Sequence, residues 1–515
     1  MMAGLPMTSN PPTGGALAPG ALAPGALATV AVANAHRARP AWSATPLEER
    51  LTIVRRLRQR LGDDPRRLAA TVDAPWRAHT AETLTAEVLP LLDAMQFLER
   101  EAPKILAPRG PHRGSVGRRP PWLMGCELEI RRDPLGVVLV LGPANYPLFL
   151  PGVQAIQALV AGNTVVVKPG RGGATAMEYL RDEALAVGLP DGVFQVLSDS
   201  VVDGEAALDA GVDKVLVTGS LDTGRTVLHH LADGPTPAVL ELSGHDVVIV
   251  RDASRLDLAV RAIGFGLGLN GGFTCISPRR ILAVHPVAAR LEERLAEALN
   301  NREPVGLVPG VRDRLITLLQ DAIHRGGRFV AGGLPTRDRC PPILLADVPP
   351  EAGIVGADLA APVTLLETIA GDEDAVRRVA EAPYRLGATV FGQPAASRDL
   401  ARRLDVGVVV VNDLIVPTAD PRAPFGGRGC SGYGTTRGAE GLLELTAVKT
   451  VLVRSGTFRP HYDPVGTTDT DLFEACVRTL HGSSWGRRWR AALDLIRAGR
   501  ARTERPHPNR REGMA

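Results

Sequence analysis

A rhythm of short, continuous apolar strands separated by helical stretches, sustained from about residue 136 to residue 412, does most to limit what this chain can fold into. GVVLVLGP (136–143) and the valines of TVVVKP (164–169) carry no charge, and 152–161 between them has helical character. The alternation continues through helix 174–187, VFQVL (193–197), KVLVTGS (214–220), helix 222–232 and AVLEL (238–242). Strands that are apolar on both faces are buried on both faces, which predicts parallel βαβ units with helices above and below the sheet. A second block begins at VVIV (247–250). It runs through helix 256–268, strand 280–284, helix 311–325, VTLLE (363–367), helix 372–382, ATVF (388–391), helix 394–404 and GVVVVN (407–412). The simplest parse is two α/β domains of similar size.

The flanks differ. In 41–100, Leu47, Leu51, Val54, Leu57 and Leu61 recur at threes and fours, a helix face that packs on the body that follows. A Pro-rich, basic link leads to CELEIRRDPLG, whose alternation suggests a hairpin near 126–132. The first 35 residues carry no charged side chain and contain a GALAP repeat; Pro19 and Pro24 interrupt what would otherwise resemble a secretory leader. A disordered tail is expected there. At the other end, Arg459 to Arg511 holds eleven arginines, with Phe473, Val477, Leu480, Trp485, Trp489, Leu493 and Ile496 near helical spacing. Two short amphipathic helices fit, either docked on the body or binding an anionic partner.

Composition narrows the class of function. Basic residues number 59 against 56 acidic, a net +3 that is small and scattered along the main body, so neither nucleic acid nor membrane is an expected partner. No stretch is long and apolar enough for a transmembrane helix. Cys126, Cys275, Cys340, Cys430 and Cys476 are far apart and form no CxxC, which argues against a disulfide framework or metal site and for a reducing cytoplasm. Of the basic residues, 55 are arginine; Lys104, Lys168, Lys214 and Lys449 are the only lysines.

Ligands of open α/β sheets bind beyond the carboxyl ends of the strands, and several polar residues fall there. KVLV runs into Thr218, Gly219, Ser220, Leu221, Asp222, Thr223 and Gly224, where small residues let N–H groups approach a phosphate at a helix N-terminus, or simply make a tight turn. Lys168, at another strand end, suits a ribose contact or is a solvated cation. Cys275 follows two glycines and precedes Arg279 and Arg280, a setting for a nucleophilic thiolate, although a lone cysteine is more often an inert small hydrophobe. Glu241 ends AVLEL, where burial raises a carboxyl pKa toward that of a general base. Asn145 follows GVVLVLGPA and offers an amide for a developing oxyanion.

In this order, GPANYP, VVVKP, VTGSLDTG, LELSGHD, GGFTCISPRR and PFGGRGCSG resemble the NAD(P)-dependent aldehyde dehydrogenase superfamily over roughly residues 40–456. The resemblance implies an α/β fold: a Rossmann-like cofactor domain and a second α/β catalytic domain, with small oligomerisation elements. The segments become a disordered tail (1–40), N-terminal helices and dinucleotide-binding domain (41–245), catalytic domain (246–415), bridging segment (416–456) and Arg-rich extension (457–515). Carried over, Cys275 is the nucleophile, Glu241 the general base and Asn145 the oxyanion donor. Lys168 contacts the adenosine ribose, and Gly219, Ser220 and Gly224 form the pyrophosphate turn. The implied reaction is oxidation of an aldehyde to a carboxylic acid through a thiohemiacetal and thioester, by a homodimer or higher homo-oligomer. Alternatives are a catalytically weak relative and an acyl-CoA reductase.

Departures from the family pattern are informative. Ser243 and His245 replace a glycine and a lysine, Phe273 a glutamine, and Ala144 a tryptophan, which implies a wider or differently lined substrate channel shared with Tyr146 and Phe149. Asp358 stands for the glutamate on the nicotinamide ribose, and Ala360 for a phenylalanine. Arg171 occupies an acidic position that would repel a 2′-phosphate, so NADP is expected over NAD.

Overall fold

The computed structural model describes residues 25–110, 120, 123, 125–457, 459–462, 464–466 and 469–503. By compactness the chain forms two units, one holding 129–451 and the helices before residue 111, the other 125–128 and 452–503.

The two large sheets lie in the larger unit. The first has the strand order 432–433, 238–242, 214–219, 137–141, 164–168, 194–196. All neighbours are parallel except Gly432–Tyr433, which runs antiparallel to Ala238–Leu242 and sets Gly432 opposite Glu241. From Val137–Leu141 the chain winds outward through two strands, then crosses to the other side at Lys214–Gly219. That reversal opens a crevice at the carboxyl ends of these two neighbours. Val137 to Val140 are wholly buried, as the uncharged run requires.

The second sheet has the order 328–331, 343–346, 363–369, 280–284, 247–250, 387–391, 408–411, antiparallel only between its first two strands. Helix His285–Asn300 and strands Arg328–Ala331 and Ile343–Ala346 add to the elements expected from the sequence. The helix could have been read from Leu291, Leu295 and Leu299, all buried at a spacing of four.

Two expectations need correction. The N-terminal tail does not extend to residue 40: Ala26–Ala44 is a helix, and residues 1–24 lie outside the described residues. Alanine is the best helix former, and Ala28, Val32 and Ala35 bury against the core around Val137 and Leu139. The hairpin near 126–132 is instead one strand, Cys126–Pro134, paired with Thr446–Arg454 far along the chain. Asp133-Pro134-Leu135-Gly136, with Gly136 at φ 143, turns the chain into the first sheet rather than back on itself.

The smaller unit contains helices Asp469–His481 and Trp485–Thr503, which pack on one another. No helix among the described residues is long and apolar enough to cross a membrane, and none of their His, Cys, Asp and Glu clusters could hold a metal ion.

Candidate active site

Two cavities meet at Cys275, Thr274 and Glu241. The first, about 310 Å³, opens at the topological crevice and is lined by Asn145, Gly219, Ser220, Thr223, Arg279 and Asp358 among others. The second, about 440 Å³, is mostly apolar, with Leu89, Phe149, Phe265, Ile276, Val416 and Phe425 in its wall. Cys275 and Glu241 belong to both walls.

Backbone geometry explains the placement of Cys275. Helix Leu256–Gly268 ends, and Asn270, Gly271 and Gly272 follow at φ 54, 64 and 74. A Cβ on Gly272 would lie 2.6 Å from the Ala361–Pro362 backbone, so glycine is required there. Asn270 tolerates the left-handed region better than most residues. Its Oδ1 accepts from Trp76 Nε1 and Arg77 Nε, both at 2.7 Å. Its Nδ2 donates to the carbonyls of Asn145 and Phe273, both at 2.9 Å. One buried amide therefore ties the Asn145 loop to the Cys275 loop. Arg77 extends the brace, donating to Glu87 at 2.7 Å in a fully buried pair, and Glu87 accepts from Phe149 N–H at 2.7 Å. The motifs gave no sign of Asn270, Arg77 and Glu87 as a unit; an asparagine beside Gly-Gly was the available signal.

Burial pushes the Cys275 thiol well up, and Glu241 and Asp246 add to the shift; Arg437 and the Ile276 N–H oppose it. Burial therefore favours the neutral thiol over the thiolate at Cys275. Arg280, expected to favour the thiolate, is tied to Glu367 at 2.8 Å. Arg279 donates to the carbonyls of Ala361 and Gly272, and burial lowers its pKa to about 10. The cation that opposes the shift at Cys275 is Arg437, which sequence reading missed. Its guanidinium stacks 4.3 Å from the Phe425 centroid and donates to Thr418 O at 2.7 Å, while its buried Nε has no partner.

Glu241 is 3% exposed and accepts a 2.8 Å bond from Thr436 Oγ1. Burial raises its pKa; Arg437 and the Thr436 hydroxyl lower it. Asn145 Oδ1 accepts from Tyr146 N–H at 3.0 Å, which leaves the Nδ2 end for the cavity.

Lys168 ends the strand beside Val137–Leu141, half-buried; burial lowers its pKa, and Asp199 and Asp203 oppose that. Arg171 is exposed in the following turn. Ser220 caps helix Leu221–Leu231 by accepting from Thr223 N–H at 3.2 Å, and the first-turn N–H groups at this end suit a phosphate. Gly224 does not line the cavity. A Cβ there would lie 2.8 Å from Leu242, so this glycine serves helix-on-strand packing. The channel residues also divide: Ala144 and Phe273 line the polar cavity, Tyr146 and Phe149 the apolar one. Two departures from the family pattern touch, Ser243 Oγ donating to Asp358 Oδ2. His245 lies in a separate cavity beside Arg280 and is neutral at pH 7, since burial and the arginines lower its pKa to about 3.

Comparison with known proteins agrees with this geometry. The model of the aldehyde dehydrogenase family matches residues 7–451. A 4,4'-diapolycopene aldehyde oxidase of Methylomonas sp is 28% identical over 90% of this chain and 90% of its own. A probable coniferyl aldehyde dehydrogenase of Pseudomonas aeruginosa is 30% identical over 84% of this chain and 92% of its own. The crystal structure of Mycobacterium tuberculosis aldehyde dehydrogenase complexed with NAD+ superposes with a TM-score of 0.77 at 25% identity, covering 85% of this chain and 92% of that one.

Proposed function

The chain belongs to the aldehyde dehydrogenase family, enzymes that oxidise aldehydes to acids with a nicotinamide cofactor, and on that premise we propose which residues carry the reaction and which aldehydes enter. The observation that carries the proposal is that Cys275 and Glu241 form the shared wall of a polar and an apolar cavity.

The polar cavity fits a dinucleotide by its donor set: the capped helix N-terminus at Ser220 and the Asp358 carboxylate inside it, with Lys168 at the next strand end. The nicotinamide supplies a hydride acceptor when bound. Cys275 gives up its thiol proton to solvent, and Sγ adds to the aldehyde carbon to form a thiohemiacetal. Asn145 Nδ2 and the Cys275 N–H hold the oxygen's charge. Once the carbon has given up its hydride, a thioester remains on Cys275. Glu241 then takes a proton from water, and hydrolysis frees the acid. Steady turnover needs that last step, so Glu241→Gln is expected to give one burst of reduced cofactor per site and then stop. Uninterrupted turnover in rapid-mixing kinetics would remove Glu241 from the mechanism.

The aldehyde is apolar and bulky. The second cavity is walled largely by Leu, Ile, Val and Phe, and Leu89, Phe265 and Val416 keep that character to its exposed mouth. Relatives named for diapolycopene, coniferyl and geranial substrates are in keeping with this. Across a panel of aliphatic, aromatic and semialdehyde substrates, kcat/KM should rise with apolar size, each added methylene giving up to roughly fourfold; a preference for semialdehydes would refute this.

NADP is the preferred cofactor: among the described residues no hydrogen bond or ion pair holds Arg171, which stands free in the turn after Lys168. A cytoplasmic homodimer completes the proposal, supported by the exposed Val448, Leu452 and Val453 on strand Thr446–Arg454 and by Cys275, Cys340, Cys430 and Cys476, which form no disulfide.

A further inference from the structure

Helix Trp485–Thr503 has two unlike sides. Ala491 is buried and Leu495 and Ala498 are half-buried, and this side packs toward helix Asp469–His481. Elsewhere on the helix Trp485, Trp489, Leu493 and Ile496 recur at i, i+4, i+8 and i+11, so they form one stripe. Trp485 is 81% exposed and Trp489 63%, and Leu493 and Ile496 are also exposed, with Val477 on the partner helix. A contiguous exposed apolar stripe of this kind marks a docking surface. The charge beside it is one-sided: residues 485–503 hold six arginines against Asp494 alone. Arg488, Arg490 and Arg497 flank the stripe within a turn, and Asp494 is paired with Arg497 at 3.5 Å.

We propose that this helix lies in the interface of an anionic lipid bilayer, with the tryptophan stripe against the acyl boundary and the flanking arginines on lipid headgroups. Tryptophan favours the membrane–water interface, where its ring is half desolvated and its N–H stays hydrated. Arginines beside an apolar stripe extend to phosphates while their stems cover apolar surface. A second copy of the chain is a poorer occupant, since pairing this face with itself would set two arginine-rich helices together. Nucleic acid would match the charge and leave the stripe in water. The whole-chain balance of +3 concealed this surface, because the excess of basic residues is concentrated in one helix. The inference concerns the C-terminal helix alone and stands whether or not the aldehyde assignment holds.

The test uses the full-length protein with phosphatidylcholine vesicles prepared with and without phosphatidylglycerol. The protein should co-sediment with the anionic vesicles, leave them as salt rises, and ignore the neutral ones. Trp485→Ser with Trp489→Ser should weaken partitioning at least about tenfold. Arg488→Glu, Arg490→Glu and Arg497→Glu together should weaken it roughly 100-fold or more. Both variants should oxidise a small water-soluble aldehyde at the parent rate, which shows that they are folded; the salt titration needs no variant. Failure of the parent protein to bind anionic vesicles, or equal binding to neutral ones, would overturn the proposal. So would a solution mass that drops to that of a smaller assembly in the tryptophan variant, or binding to nucleic acid with indifference to vesicles.

Discussion

The two cavities that share Cys275 and Glu241 are made in opposite ways. The polar one is built from turns that follow parallel strands: Asn145 after Val137–Leu141, Ser220 after Lys214–Gly219, Ser243 after Ala238–Leu242. Its position is a consequence of topology, and each residue carries a hydrogen-bonding group suited to a charged ligand. The apolar one has no such organising element. Leu89, Phe149, Phe265, Val416 and Arg437 come from five distant segments and meet only in the finished fold. A ligand common to many enzymes is held by architecture, and a ligand particular to one enzyme by whatever side chains the surrounding helices and loops present.

The comparison can be broken first at the junction. Cys275→Ala removes the sulfur proposed to react where the two cavities meet, and turnover should fall by roughly 10⁴-fold or more, with cofactor binding by fluorescence titration unchanged. Residual turnover near the parent rate would mean that the shared wall is not the reacting centre. A smaller effect is expected on the apolar side. Arg437→Met takes away the cation that lowers the pKa of both Glu241 and Cys275, so both groups titrate higher. The base must be ionised to act. The acid limb of the kcat–pH profile should therefore move to higher pH, with a loss of roughly tenfold at neutrality that recovers in alkali. Arg437→Lys should restore part of it, and a uniform loss at every pH would make Arg437 structural only. The smallest effect belongs to the outer polar side. Arg171→Ala should reduce the NADP to NAD ratio of kcat/KM about tenfold and leave the aldehyde KM unchanged. An unaltered ratio would place cofactor choice elsewhere.

Legibility in the sequence followed the same division. The uncharged runs at 137–141, 164–167 and 247–250 announced buried parallel strands; Glu241 and Asn145 drew notice at strand ends, where an open sheet binds ligands, and Cys275 in a glycine turn before a strand, and all three line one cavity. Gly224 has the right neighbours in sequence but packs on Leu242, because a glycine in a phosphate turn and a glycine under a helix look alike in one dimension. Arg437 was hidden by composition: among 55 arginines, one buried against Phe425 has no distinguishing mark. Strand Ile343–Ala346 was missed because four apolar residues between prolines are too short a run to separate from a loop. The lining of the apolar cavity had no local signal, since leucine and phenylalanine at the mouth of a channel carry the same pattern as leucine and phenylalanine in a core.

Strand Gly432–Tyr433, at the edge of the first sheet, bears on the life of the chain before it is finished. The Thr436 hydroxyl reaches Glu241 only because that strand returns, and Thr436 lies 195 residues further along the chain. A ribosome that has completed the five parallel strands of the first sheet, and then Cys275, has still not delivered the hydroxyl partner of Glu241 or the cation that acts on both groups. The nascent protein therefore carries an unassisted thiol while the 162 residues after Cys275, up to Arg437, are made, and the two groups come under one cation only by a long-range closure that local helix and strand formation cannot anticipate.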